Sequence, residues 1–352
     1  RPITMAAYVA IGSNLSPWVS AYPWSSAGGF GTKIADPGIL ATGGGQGIRW
    51  SPSGNDIALS TRVTPWVAVW PWVAGAFGTK YANPSVLSPN VNWRVSWNPS
   101  GNDILFSHSN TPFVTAYPWS AGFGTKYADP GTLPGGTGYG CAFSPSGADV
   151  MLAIHATPFV HAYPWSAGFG TKYADPGTLP GGYGYGVAWH PSGQDVVIGH
   201  HLTPFVAAYP WSAGFGTKYT NPASLPAGEV DSADFSPSGN DLLLGAQVPS
   251  GGENLTAYPW TLGTGFGTKY ASAPSASGYG YGVKWRPTIG TEVVVAHPGT
   301  PFIHAYHWAS GWGTVYSNPG TLPTGSGLSI DMAPEPAAPV VVVPTLMGQG
   351  WT

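Results

Sequence analysis

One short phrase returns along this chain at nearly constant intervals. Its anchor is the tryptophan that ends Tyr-Pro-Trp, at Trp24, Trp119, Trp165, Trp211 and Trp260, with the variants Trp-Pro-Trp at Trp72 and Tyr-His-Trp at Trp308. Successive anchors are 46 to 49 residues apart. A second anchor, the proline of a Ser-Pro-Ser-Gly-like turn, keeps the same period at Pro52, Pro99, Pro145, Pro191, Pro237 and Pro287, with a weaker copy at Pro334. A period of this length belongs to four-stranded propeller blades and exceeds that of most helical repeats.

One unit reads entirely as strands. Residues 186–189 (GVAW) form an apolar run ended by Pro191-Ser192-Gly193, and 195–199 (DVVIG) a β-branched one. Residues 205–211 (FVAAYPW) and 215–219 (FGTKY) predict a third and a fourth strand before Asn221-Pro222. No helical period survives the prolines. Gly and Pro number 52 and 37; without a period that would suggest low complexity, and with one it supplies the turns between many short strands. The chain is therefore expected to be all-β, a seven-bladed β-propeller over residues 1–336.

Ring closure is legible at the ends. Residues 8–24 match the second and third strands of a unit whose first strand is missing, and residues 329–335 resemble that lost strand. The two ends should pair in one composite blade. Residues 337–352 fall outside the repeat and are expected to be a tail or an extra edge strand, or an arm added to a neighbouring subunit.

The order of an apolar strand, Ser-Pro-x-Gly, an apolar strand and an aromatic-ended third strand resembles WD40-like propellers. Tyr-Pro-Trp-Ser stands where that family has Trp-Asp, and Gly138-Tyr139 or Gly184-Tyr185 where it has Gly-His, so its buried Asp-His-Ser-Trp network is not carried over. The wording AYPWSAGFGTKYADP resembles repeat proteins of tailed bacteriophages, which implies a virion or extracellular particle component without catalytic residues.

Charged residues are only 8% of the chain and the net charge is −3, so no electrostatic footprint for nucleic acid is present. No apolar run approaches the length of a membrane span, and the candidate Val340 to Val343 is flanked by Pro339 and Pro344. Cys141 stands alone in an apolar run, as a small core residue would. No HExxH, CxxC, GxSxG or GxxxxGK pattern occurs, and no cofactor, metal or catalytic residue is expected.

Three recurring positions could carry chemistry. Lysines at Lys33, Lys80, Lys126, Lys172, Lys218 and Lys269 either form a ring for an anionic polymer or guard the outer edge strands against aggregation. Histidines His108, His155, His200, His201 and His297 end the second strands, where ring closure gathers them on one face. The position six before each turn proline varies while its surroundings do not: Gln46, Trp93, Tyr139, Tyr185, Asp231, Tyr281 and Leu328. Trp93, Tyr139, Tyr185 and Tyr281, with the five histidines, make a candidate face for sugar rings or a protein partner, or else pack between blades.

The expectation is a non-enzymatic structural or adhesive module, with other particle proteins, identical copies or a cell-surface glycan as partners. A lectin-like propeller is the first alternative. A metal-dependent hydrolase using acids near the channel (Asp231, Asp234, Asp331) is the second.

Overall fold

In the computed structural model, which describes residues 7–248, 253–274 and 279–334, every regular element is a β-strand, and the strands form seven antiparallel sheets. Blade 1 is composite: Gly327–Met332, Ala7–Ser13, Val19–Ser25 and Gly29–Phe30. Blade 2 holds Gly45–Trp50, Asp56–Thr61, Val67–Val73 and Ala76–Phe77. Blade 3 holds Asn92–Trp97, Asp103–His108 and Val114–Pro118. Blade 4 is built from Gly138–Phe143, Asp149–Ile154 and Val160–Pro164, and blade 5 from Gly184–Trp189, Asp195–His200 and Val206–Pro210. Blade 6 comprises Glu229–Phe235, Asp241–Gln247, Leu255–Thr261 and Gly265–Phe266. Blade 7 comprises Gly282–Trp285, Glu292–Ala296, Ile303–Trp308 and Trp312–Val315.

The composite closure is as expected. Val9 pairs with Met332 and Ile11 with Ile330, so the last described strand supplies the innermost strand of the first blade. The tail assigned to residues 337–352 lies outside the described residues.

The fourth strand is shorter than the sequence suggests. In blades 3, 4 and 5 it is reduced to one bridge, Trp119 with Phe123, Trp165 with Phe169 and Trp211 with Phe215. The proline of the repeat limits the fourth strand in blades 1 to 6, and the shorter Trp-to-Phe connection of blades 3, 4 and 5 cuts it further. The carbonyl of Pro118 accepts from Gly124 on the outer side (2.8–2.9 Å in this and the equivalent blades), but a proline has no N–H to return. Blade 7 has His307 in that place, and its fourth strand is the longest, at 4 residues. The edge lysines turn inward on their own segment: Lys33, Lys126 and Lys172 pair with Asp36, Asp129 and Asp175, and Lys80 with Asn83. Three of these four contacts are local ion pairs within the edge segment, and the fourth is a hydrogen bond to a neutral amide.

The core lies between blades. Seven clusters of buried side chains each combine two neighbouring sheets; one joins Leu105, Val114 and Ala116 of blade 3 to Cys141, Phe143, Leu152 and Trp165 of blade 4. Each repeat tryptophan sits in an aromatic box. Trp119 meets Tyr81, Trp97 and Phe123 edge-on at centroid distances of 5.1, 5.1 and 5.0 Å, the T-shaped geometry favoured by ring quadrupoles.

Its indole N–H has a specific acceptor in the preceding blade. Asp56 accepts from Tyr81 Oη (2.8 Å) and Trp119 Nε1 (3.2 Å); Asp103 accepts from Tyr127 (2.7 Å) and Trp165 (3.0 Å). Asp149 does so with Tyr173 and Trp211, and Asp195 with Tyr219 and Trp260. This carboxylate staple ties blade to blade where WD40 units use a different network. It is absent at three interfaces: in blade 1, Tyr8 stands where blades 2 to 6 have the aspartate and Ile34 where they have the tyrosine, and Trp24, Trp72 and Trp308 Nε1 are buried without a hydrogen-bond partner among the described residues.

Asp103→Ala leaves a buried indole and a half-buried phenol without their acceptor, and should lower stability by about 3 kcal/mol in a denaturant melt. Asp36→Ala, which breaks an exposed local pair, should cost under about 1 kcal/mol. Equal losses in the two variants would show that the staple is not what couples the blades.

Candidate functional site at the axial mouth

First strands line the ring axis, so the residue that opens each of them faces the same space. All seven members of the variable series, Gln46, Trp93, Tyr139, Tyr185, Asp231, Tyr281 and Leu328, border one cavity of about 230 Å³ at one end of the axis, together with Arg62, Arg94 and Gln247. Next along each strand stands Gly47, Gly140, Gly186, Ser232, Gly282 or Ser329, and in blade 3 alone Arg94. The small residues are needed for close approach: a Cβ on Gly140 would lie 2.3 Å from the Tyr185 carbonyl oxygen. Arg94 therefore puts a guanidinium where the other blades put only glycine or serine.

The aromatic members form a continuous arc. Trp93 packs on Tyr139 (5.1 Å) and Tyr139 on Tyr185 (5.2 Å), with Arg62 above Trp93 at 5.5 Å. Tyr281 lies across the mouth against Tyr279 (5.5 Å). The arc is half-buried and borders the cavity, so these rings do not serve only as packing between blades.

The histidines divide by parity. Adjacent strand residues point to opposite faces, and those five residues after the acid that opens the second strand turn into the interior. His108 is buried with Nε2 2.8 Å from Thr115 Oγ1, His200 is buried under Gly181, and His297 stacks on His304 at 4.6 Å. Burial pushes all three down to about 4, which keeps them neutral. They do not join the candidate face. The residues one step further do reach the rim: His155 stacks on Tyr183 at 3.7 Å and lies 5.7 Å from Tyr139. His201 Nδ1 is 2.8 Å from Glu229 Oε1, with its ring beside Tyr185. Arg62 and Gln247 occupy this same register in blades 2 and 6. Counting from Asp56 and Asp241 would have found them, and Arg94 was visible as the break in a run of Gly and Ser.

Asp231 is the chemically distinct member. It is 6% exposed, and its Oδ2 has no hydrogen-bond partner. Burial pushes its carboxyl up to about 7; the Arg94 guanidinium and a hydrogen bond from Gln247 restrain the rise, while Glu229 adds to it. Arg94 Nη1 is held by the carbonyls of Gln46 (2.7 Å) and Trp93 (3.1 Å). Burial, reinforced by Glu229 and Asp231, raises Tyr185, so its hydroxyl stays a donor at neutral pH.

The other channel acids are spent on structure. Asp234 accepts from Trp285 N (2.8 Å) and pairs with Lys284 (3.2 Å); Asp331 accepts from Trp50 N (2.8 Å) with Arg49 at 3.7 Å. Asp331, Arg49 and Lys284 border the opposite mouth, away from the aromatic arc. Among the described residues no three His, Cys, Asp or Glu side chains are placed to hold a metal ion.

A carboxyl held near 7 in the folded chain and near 3.8 in the unfolded one makes the folded state the better proton binder between those values. Stability should therefore fall as pH rises from about 4 to about 7, by up to about 4 kcal/mol at 1.36 kcal/mol per unit. Asp231→Asn, neutral throughout, should melt higher than the parent chain at pH 8, with the gap closing toward pH 4. A gap independent of pH would show that Asp231 is not the titrating group.

No family model and no curated protein sequence matches the chain. Solved structures do match, at the level of fold. A candidate 6-phosphogluconolactonase of Bacteroides fragilis superposes with a TM-score of 0.73 at 12% identity, over 94% of this chain and 99% of that one. The periplasmic gluconolactonase PpgL of Pseudomonas aeruginosa gives 0.71 at 11% identity, over 94% and 100%. The Cps50 (Swd1) β-propeller domain of Myceliophteria thermophila gives 0.57 at 12% identity, over 79% and 87%, and is the WD40-like neighbour. These neighbours correct the expectation of a non-enzymatic virion or adhesive module. Propellers matching this chain nearly end to end bear the names of lactone hydrolases, and the resemblance to bacteriophage proteins has no counterpart among them.

Proposed function

We propose that the chain is a hydrolase of small cyclic esters, a lactonase working at the axial mouth. The observation that carries this reading is Asp231: a carboxyl near neutrality, with one oxygen unpartnered among the described residues, on the wall of a cavity with an aromatic arc and the Arg94 guanidinium. A pKa near the working pH is what general acid–base catalysis requires. The likeness to lactonase structures supports the reading through the fold they share.

The chemistry follows from the donor set. The faces of a sugar-sized lactone lie on Trp93, Tyr139 and Tyr185, which supply contact area at small entropy cost. Ionised Asp231 takes a proton from a water as its oxygen bonds to the lactone carbonyl carbon. Negative charge passes to the carbonyl oxygen, where the Arg94 guanidinium and the Tyr185 hydroxyl stabilise it. Collapse breaks the ring C–O bond, and Asp231 returns the proton to the departing ring oxygen. One water is consumed and one hydroxy acid is released.

A location outside the cytoplasmic membrane goes with the proposal, since the Pseudomonas neighbour is periplasmic; no helix among the described residues is long and apolar enough to cross a membrane.

Hydrolysis of aldonolactones followed by pH-stat should exceed the uncatalysed rate, and kcat/KM should climb with pH through about 7 and then level. Asp231→Asn should lower kcat/KM by roughly 10²- to 10⁴-fold. A rate equal to buffer alone across five- and six-membered lactones would overturn the reading.

A further inference from the structure

The chain carries few charges and neutralises nearly all of them locally. Among the described arginines, Arg49 pairs with Asp331 and Arg286 with Glu292. The described lysines lie on the outer edges or at the far mouth, each against a side-chain oxygen. Among the described residues, Arg62 and Arg94 have no carboxylate in ion-pair contact, and both border the same cavity. Arg94 is anchored by two carbonyls in the throat. Arg62 is exposed on the rim, where Nη2 donates to Gln46 Oε1 at 3.1 Å and the guanidinium lies over the Trp93 face. A guanidinium has five N–H donors, so most of those on Arg62 remain available to a ligand.

Gln46 gives an independent sign. The residue is 4% exposed, its Oε1 is taken by Arg62, and its Nε2 is buried without any partner. A buried amide N–H left unsatisfied is costly, and here it stands beside the free guanidinium. Together, Arg62 and Gln46 Nε2 form a corner of donors without acceptors on the wall of the cavity. The carboxylates bordering or flanking the cavity are Asp231 and Glu229, and Glu229 is engaged by His201.

We propose that the Arg62–Gln46 corner is an anion subsite, and that the substrate is a lactone bearing a negatively charged arm, a phosphate or a carboxylate. This rests on the lactonase reading for the chemistry at Asp231 and adds what holds the far end of the substrate. Arg62 presents a planar fork suited to a phosphate or carboxylate. Its stacking on Trp93 fixes the fork's direction, and Gln46 adds a third donor. The subsite makes Arg62 a specificity-determining residue, separate from the reacting carbon.

The test compares kcat/KM for glucono-1,5-lactone, its 6-phosphate, and a glucarolactone carrying a carboxylate. The anionic lactones should be preferred by tenfold or more at low salt, with the preference shrinking at high ionic strength. Preference for the phosphate alone assigns a phosphate arm; preference for both assigns any anion. Arg62→Gln should cut the anionic-to-neutral ratio at least tenfold, and Arg62→Lys should restore part of it. A parent chain indifferent to the charged arm, or a ratio unmoved in Arg62→Gln, overturns the subsite. If no lactone is turned over, the lactonase reading fails. Calorimetry with 6-phosphogluconate then decides the subsite by itself: binding weakened at least tenfold in Arg62→Gln supports it, and equal or absent binding rejects it.

Discussion

The hydrogen bond from a repeat tryptophan to an aspartate in the preceding blade couples blades 2 through 6 of the ring. Each blade alone would expose both faces of a small sheet, and non-directional apolar packing between sheets does not by itself fix how they are rotated about the axis. The Asp56 carboxylate does so by accepting from Tyr81 on its own side and Trp119 on the next. The tyrosine of Tyr-Pro-Trp has a second task. Tyr117, Tyr163 and Tyr209 donate to the carbonyls of Val86, Thr132 and Thr178, pinning the connection that enters their blade. One short phrase thus ties a sheet to its neighbour, ties down a loop, and, through its proline, blunts the outer edge.

A scaffold this redundant leaves chemistry to the exceptions. The mouth residues occupy one register in seven blades, and the fold tolerates glutamine, tryptophan, tyrosine, aspartate or leucine there because those side chains face the axis. Arg94 is tolerated because its head group finds the backbone carbonyls of Gln46 and Trp93 at the mouth end of the first strands. The repeat makes a funnel, and single-copy departures give it acid, base and charge. The cost appears in unsatisfied groups, Asp231 Oδ2 and Gln46 Nε2, which are gathered at the mouth.

The fold was legible because a period of turns and aromatics is a local signal repeated seven times. The variable axial position was legible for the same reason. Two things were not. Histidines one residue apart, such as His200 and His201, look equivalent in a sequence yet face opposite sides of a strand, which separates a buried neutral ring from a rim residue. The tryptophan partners of Asp56 and Asp103 stand 63 and 62 residues away in the next blade, so nothing local to the aspartate marks the staple. Activity was the hardest to see, since no contiguous motif carries it: Arg62, Arg94 and Asp231 come from three blades and meet only when the ring closes.

That closure runs through blade 1, whose inner strand, Gly327–Met332, is the last one described, while its neighbour, Ala7–Ser13, is the first. A ribosome would release the second long before the first emerges. Until then the nascent ring has a gap, with an unpaired strand edge open to chaperones and proteases. Sealing the gap certifies that every blade has been made, and the assembled mouth exists only in chains that pass this inspection.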